Sequence, residues 1–304
     1  MTVMSQAPYS VFEIQPEWVL ETEGMGSKEK FWYRAKDGEP GWLFKFPQPN
    51  TGQHWAEKIA AEVAACLEVL HARVELAVFQ GTRGSATETF ARDGRDLFHG
   101  NQMLAGKVLG YDPAKQFRQS DHTLENILTA IDRTFTTPKR VRKARMRMAE
   151  YIVLDAVIGN TDRHHENWGG LRKQIEERWQ GMLALTFDHA SSLGRELVDV
   201  SDGKCRQRVL EERRVGAYAE KAPGAIFWDK AGKRGLSPLE LVRRAAPLHP
   251  EWFKPALARL ARLNRTKLAA IIARVPEDWM SLLAREFAIE LMCYNTEELR
   301  KLTP

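Results

Sequence analysis

The mostly apolar run at residues 151–158 leads straight into a polar stretch, Gly159-Asn160-Thr161-Asp162-Arg163-His164-His165-Glu166-Asn167. A helix formed by such a run has to be buried. The loop after it is then anchored by the core while its polar side chains remain accessible. Asp188 follows twenty-one positions after Asn167, at the end of the apolar segment 183–187, which is predicted to be a strand. A fold of this chain must therefore bring an aspartate, an asparagine five positions on, and a second aspartate to the ends of two buried elements. That layout suits phosphoryl transfer. The first aspartate can orient and deprotonate an acceptor hydroxyl, while the asparagine and second aspartate hold Mg²⁺ against nucleotide phosphates.

The rest of the chain is patterned in two halves. In the first hundred residues, segments 17–23 and 30–35 read as strands around a glycine-containing turn, and 42–46 as a short strand ended by Pro47. Ile59, Val63, Cys66, Leu67 and Leu70 recur at helical spacing, which predicts a helix over 54–71 of about five turns. Segments 74–80 and 85–90 are further candidate strands around Gly81–Gly84. After residue 120 the pattern turns helical, over 122–135, 141–158 and nearly everything beyond Ser237. No internal repeat is present. Strands first and helices after predict an α+β chain, divided as residues 1–100 and 101–304. The changeover falls near 91–105, where Asp93-Gly94 and His99-Gly100-Asn101 break the periodicity.

Composition removes several classes of function. With 304 residues, 43% hydrophobic and 28% charged, the chain can build substantial cores and has no low-complexity tract. No run approaches the eighteen or so apolar residues that a membrane span requires. The first eight residues do not form a secretory signal. Three scattered cysteines make no CxxC pair, so a reducing cytoplasm is expected. The net charge of +5 is mild, although residues 138–147 carry six cations. That run is predicted to be the solvated start of a helix, and direct nucleic-acid binding is not expected.

Other residues fit a nucleotide site. Lys45 interrupts the apolar strand 42–46, where a cation needs a partner or a ligand. Glu57 and Glu62 on the following helix are both available, and Glu62 lies beside the inward-facing Ile59 and Val63. Between the first two strands, Gly24, Gly26, Ser27 and Lys28 could bring backbone N–H groups and side-chain donors to phosphates. His164 and His165 lack the spacing of a zinc helix motif, and no cysteine is near.

Taken together, the segment EGMGSKEKFWYR, the strand WLFKF, the helix with AAEVAACL, the loop GNTDRHHEN and the segment TFDHASSLG resemble the HipA-like serine/threonine kinases, from about residue 20 to 195. The resemblance implies a protein-kinase-like bilobed fold with a small strand-rich N-lobe and a larger helical C-lobe. Carried over by position, it makes Lys45 the contact for the ATP α/β-phosphates with Glu62 as its ion-pair partner. Asp162 becomes the catalytic base, with His164 beside it, and Asn167 and Asp188 the Mg²⁺ ligands. The segment around Glu88–Arg92 becomes the hinge that reads adenine, and Ser27, with Thr22 beside it, the candidate for regulatory autophosphorylation. The family also implies a protein substrate such as a translation component, a toxin role with a small antitoxin partner or an effector role in a host cytosol, and a short, kinase-core-only architecture. Asp-Arg-His-x-x-Asn occurs equally in phosphatidylinositol kinases, so a lipid kinase is the rival acceptor class. A catalytically dead nucleotide-binding module is the third reading.

Overall fold

The computed structural model describes residues 7–22, 29–115, 118–176 and 178–302. Its N-terminal part is a six-stranded sheet: β1 (Val11–Ile14), β2 (Val19–Thr22), β3 (Lys30–Tyr33), β4 (Trp42–Lys45), β5 (Val74–Phe79) and β6 (Thr82–Glu88), in the order β1-β5-β6-β4-β3-β2. Only β1 runs parallel to its neighbour; the other pairs are antiparallel.

Alternation along the strands gives this sheet two different faces. Phe31, Phe44 and Ala86 are buried on one face, where the rings of Phe31, Phe44, Phe46 and Phe79 pack with closest centroid separations of 4.6–5.1 Å. A side chain at Gly84 would meet Phe44 and the Lys45 carbonyl at 2.4–2.6 Å, so this cluster closes only over glycine. The alternate set Lys30, Trp32, Leu43, Lys45 and Thr87 lines a cavity open to solvent. Helix α1 (Gln53–Cys66) packs on β5 and β6 and joins Leu76 to the main core through Ile59 and Val63.

The C-terminal part is built around one helix. After β7 (Asp96–His99), α2 (Gly100–Ala105) and α3 (Leu124–Thr134) comes α4 (Pro138–Ile158), buried at every position from Met148 to Ile158. Helices Pro238–Leu248, Pro250–Ala258 and Leu282–Arg300 pack against it. The basic run forms its first half. Thr137 accepts the Arg140 N–H, and Pro138 occupies the first helical position, so the start is capped by sequence. Among the described residues, no helix is long and apolar enough to cross a membrane.

Two expectations are corrected, and one strand is added. Segment 183–187 is not a strand of its own. The strands are β8 (Gly169–Ile175), which pairs with β7, and β9 (Arg178–Leu183), which pairs with β8, and the chain leaves β9 at Leu183. The α1 helix spans fourteen residues, and Glu68 takes a positive φ of 54°, which ends it before Leu70. The first strand pairing the sheet edge, β1, was not anticipated; Val11, Phe12 and Glu13 are exposed, so it lacks a clean buried alternation.

Candidate active site

The polar loop is fixed at its base by the end of α4. Gly159 closes the helix in the left-handed region, at φ 65°, and its N–H donates to the Asp155 carbonyl. Asp155, buried inside α4, accepts two bonds at 2.7 Å from the Arg163 guanidinium and one at 2.8 Å from the Asn160 side chain. Arg163 also donates to the carbonyls of Asn167 at 2.6 Å and Phe187 at 3.2 Å. One buried guanidinium thus ties the helix, the polar loop and the segment preceding Asp188 together. Burial acts to lower the Arg163 pKa, but the Asp155 charge outweighs it and the net direction is up.

On that base Asp162 presents its carboxylate to the cavity, with a side chain 42% exposed. The Ser191 hydroxyl donates to it at 3.3 Å, and the His164 Nε2 stands 3.9 Å away. His164 Nδ1 accepts the Glu166 N–H, which leaves the proton of a neutral ring on the side facing Asp162. Asn167 donates its amide N–H to the Asp162 carbonyl at 2.7 Å, so its side-chain oxygen is the atom available as a ligand. Asp188 sits in the left-handed region at φ 57°, an uncommon place for a residue with a side chain and one where aspartate is enriched.

Lys45 reaches Asp188 at 2.9 Å. Burial works to lower the Lys45 pKa, but Asp188 and Glu57 overcome it and the direction is upward, so the ammonium is charged. The glutamate facing this cluster is Glu57. It is fully buried, and its carboxylate lies 3.4 Å from the ring of His189, whose other nitrogen is 2.8 Å from the Thr186 hydroxyl. Burial raises the Glu57 pKa, and the His189 contact with the Lys45 charge brings it below the ordinary carboxylate range. Glu62 is not the partner of Lys45. It pairs with Lys58 at 2.8 Å and Arg274 at 3.6 Å. Five positions along a helix rotate a side chain by about 140°, which carries Glu62 off the face that Glu57 presents.

Lys45, Glu88, Asp162, His164, Asn167 and Asp188 therefore line a single cavity of about 860 Å³, within the size range of small-molecule sites. At one end Thr87, Glu88, Thr89, Phe90 and Ala91 form its edge. Glu88 is held there by Arg92 at 2.8 Å, the Thr89 N–H is bound to the Gly41 carbonyl, and Phe90 packs on Phe187 with centroids 5.4 Å apart. Gly24, Gly26, Ser27 and Lys28 lie outside the described residues.

Two elements of the site had no sequence signal. Arg163 was visible only as the neighbour of Asp162. His122 accepts the Trp168 indole N–H at 3.0 Å and donates to the Ala225 carbonyl at 2.9 Å, so it is a neutral ring with both nitrogens used. Burial, with lesser contributions from His165 and His164, drives its pKa down to about 3. Beside it, the Tyr111 hydroxyl is hydrogen-bonded to His165 Nδ1 at 2.6 Å.

The family model of the HipA-like C-terminal domain matches residues 22–233. A serine/threonine-protein kinase from Helicobacter pylori, CtkA, is 27% identical over 167 residues, which take in 55% of this chain and 48% of that protein. The chain thus spans about half the length of the curated relative it matches. The crystal structure of a Helicobacter pylori proinflammatory kinase CtkA superposes with a TM-score of 0.73 at 21% identity, covering 97% of this chain and 98% of the other. HipA, from a Shewanella oneidensis toxin–antitoxin complex with HipB and operator DNA, gives 0.53 at 14% identity, covering 95% and 68%. The chain has the kinase-like fold that the family resemblance implied, with the strand-rich sheet before the helical part that its sequence pattern predicted.

Proposed function

Because the chain belongs to the HipA-like C-terminal domain family, we propose that it is an ATP- and Mg²⁺-dependent serine/threonine protein kinase. The convergence of Lys45, Asp162, Asn167 and Asp188 on one cavity carries this conclusion. Lys45, held by Asp188, meets the α/β-phosphates, and the edge at residues 87–91 receives the adenine. The hard oxygen donors of Asn167 and Asp188 fit Mg²⁺, which binds through few protein ligands plus phosphates and water; when bound, it neutralises phosphate charge. Asp162 orients the acceptor hydroxyl and takes its proton as the acceptor oxygen bonds to the γ-phosphorus and the bond to the β-phosphate oxygen breaks. Ser191 and His164 hold the Asp162 carboxylate toward the acceptor.

A HipB-like antitoxin as partner, and a toxin role, belong to the same proposal, on the likeness to the Shewanella structure. Expression of the wild type should then arrest growth and Asp162→Asn should not. The acceptor class is tested by supplying labelled ATP and Mg²⁺ with protein extract in one reaction and phosphoinositide vesicles in another. Label is expected in protein, and absent with Asp188→Asn. Labelled lipid with unlabelled protein would reverse the choice of acceptor.

A further inference from the structure

The cavity lining includes a wall that the roles above leave unused, and its His122 stands beside His165 of the polar loop, with ring centroids 6.1 Å apart. The wall is made from residues 118–122 and 223–235. This wall is fixed by its own backbone. The His122 carbonyl accepts the Phe227 N–H, Gly224 donates to Leu236, and Leu236 donates to Ile226. A side chain at Gly235 would fall 2.1 Å from the Gly224 carbonyl, so segment 223–235 folds back on itself only over glycine. The Gln119 side chain binds the Asp112 carbonyl at 2.7 Å. Three cations, Arg118, Lys233 and Arg234, are exposed on this rigid wall. None of them forms an ion pair among the described residues, whereas nearby Lys230 is neutralised by Asp121 at 2.7 Å. The wall adds no carboxylate to the cavity lining; the acidic lining residues, Glu88, Asp162, Glu166 and Asp188, come from other segments.

Resting on the kinase assignment above, we propose that this wall is the acceptor subsite and that it takes an acidic peptide, with Asp or Glu residues flanking the Ser or Thr that receives the phosphoryl group. Unneutralised cations beside a catalytic cavity attract an anionic segment and raise its encounter rate and occupancy. Nucleotide phosphates have their own cation on the sheet side of the cavity, Lys45. A single-stranded nucleic acid would call for exposed rings on which bases stack, and the rings by which the wall lines the cavity, His122 and Phe227, are both buried. The sign of the wall thus selects acidic sequence around the acceptor.

The test is fluorescence anisotropy with two labelled serine peptides, one flanked by glutamates and one by lysines, which does not depend on turnover. Wild type is expected to bind the acidic peptide at least about tenfold more tightly, with the preference shrinking as salt rises. Lys233→Glu/Arg234→Glu should abolish or invert the preference. Lys139→Glu/Lys143→Glu, an equal charge change on exposed α4 residues away from the cavity, should retain it. Circular dichroism melts establish that both variants fold. Equal binding of the two peptides by wild type, a preference that survives Lys233→Glu/Arg234→Glu, or tighter binding of a short RNA than of the acidic peptide overturns the proposal. Mg-ATP stabilisation of the wild type is measured alongside. Its absence would sink the kinase assignment, while its presence with indifferent peptide binding sinks only the acidic acceptor.

Discussion

Lys45 shows how much a single residue can reveal. A cation inside an apolar strand is anomalous, and the anomaly alone pointed to the site. Which glutamate faces it was not legible, because Glu57 and Glu62 sit on one helix and only packing against the sheet decides between them. Glu57→Gln should therefore lower kcat/KM about tenfold or more, whereas Glu62→Gln, on the outer face, should change stability by no more than about 0.5 kcal/mol and leave turnover intact. Steady-state kinetics on the two variants checks this. His122 carries a different consequence. It is neutral in the fold down to about pH 3, while the unfolded chain protonates it near its ordinary value of 6.5. Below about 6.5 the unfolded state binds the extra proton, so stability falls as pH drops through the window between these values. By pH 5 the loss from this ring is about 2 kcal/mol. Urea unfolding at neutral and mildly acidic pH should show the loss in wild type and a smaller one in His122→Asn.

Among the elements, α4 was the most legible, since the mostly apolar run at 151–158 called for a buried helix, and the helix is buried from Met148 to Ile158. The β8–β9 hairpin was not. Its strands carry Gly169-Gly170, Arg172 and Lys173, which resemble a loop because the hairpin is exposed toward its tip, and the adjoining apolar run at 183–187 drew the strand assignment to itself. The junction after α4 is where the site is most sensitive to small changes. Gly159→Ala puts a side chain into a left-handed position and 3.3 Å from Leu291. It should destabilise by about 1–2 kcal/mol, read as a fall in Tm of a few degrees. Arg163→Met leaves Asp155 buried without its partner and should lose about 3–5 kcal/mol. Asp155→Leu/Arg163→Met should lose less than the sum of its single variants, because the uncompensated charge is gone.

For the whole molecule, the order of strands and then helices was enough to expect an α+β architecture. The strand order β1-β5-β6-β4-β3-β2 and the packing of three late helices on α4 were not, since both depend on contacts between distant segments. The cavity between the sheet and the polar loop is the product of that assembly, so a ligand filling it must stabilise the fold. Mg-ATP at about a hundred times its Kd should add about 2.7 kcal/mol of stability, and chelation of the metal should reverse most of it. The claim on which everything else stands is that Asp162 receives the acceptor proton. It is tested most directly by phosphoryl transfer from labelled ATP with wild type and Asp162→Asn, each first shown to bind Mg-ATP. The account predicts nucleotide binding by both and a fall in transfer of at least about a hundredfold in the variant. Equal transfer by the two would contradict it.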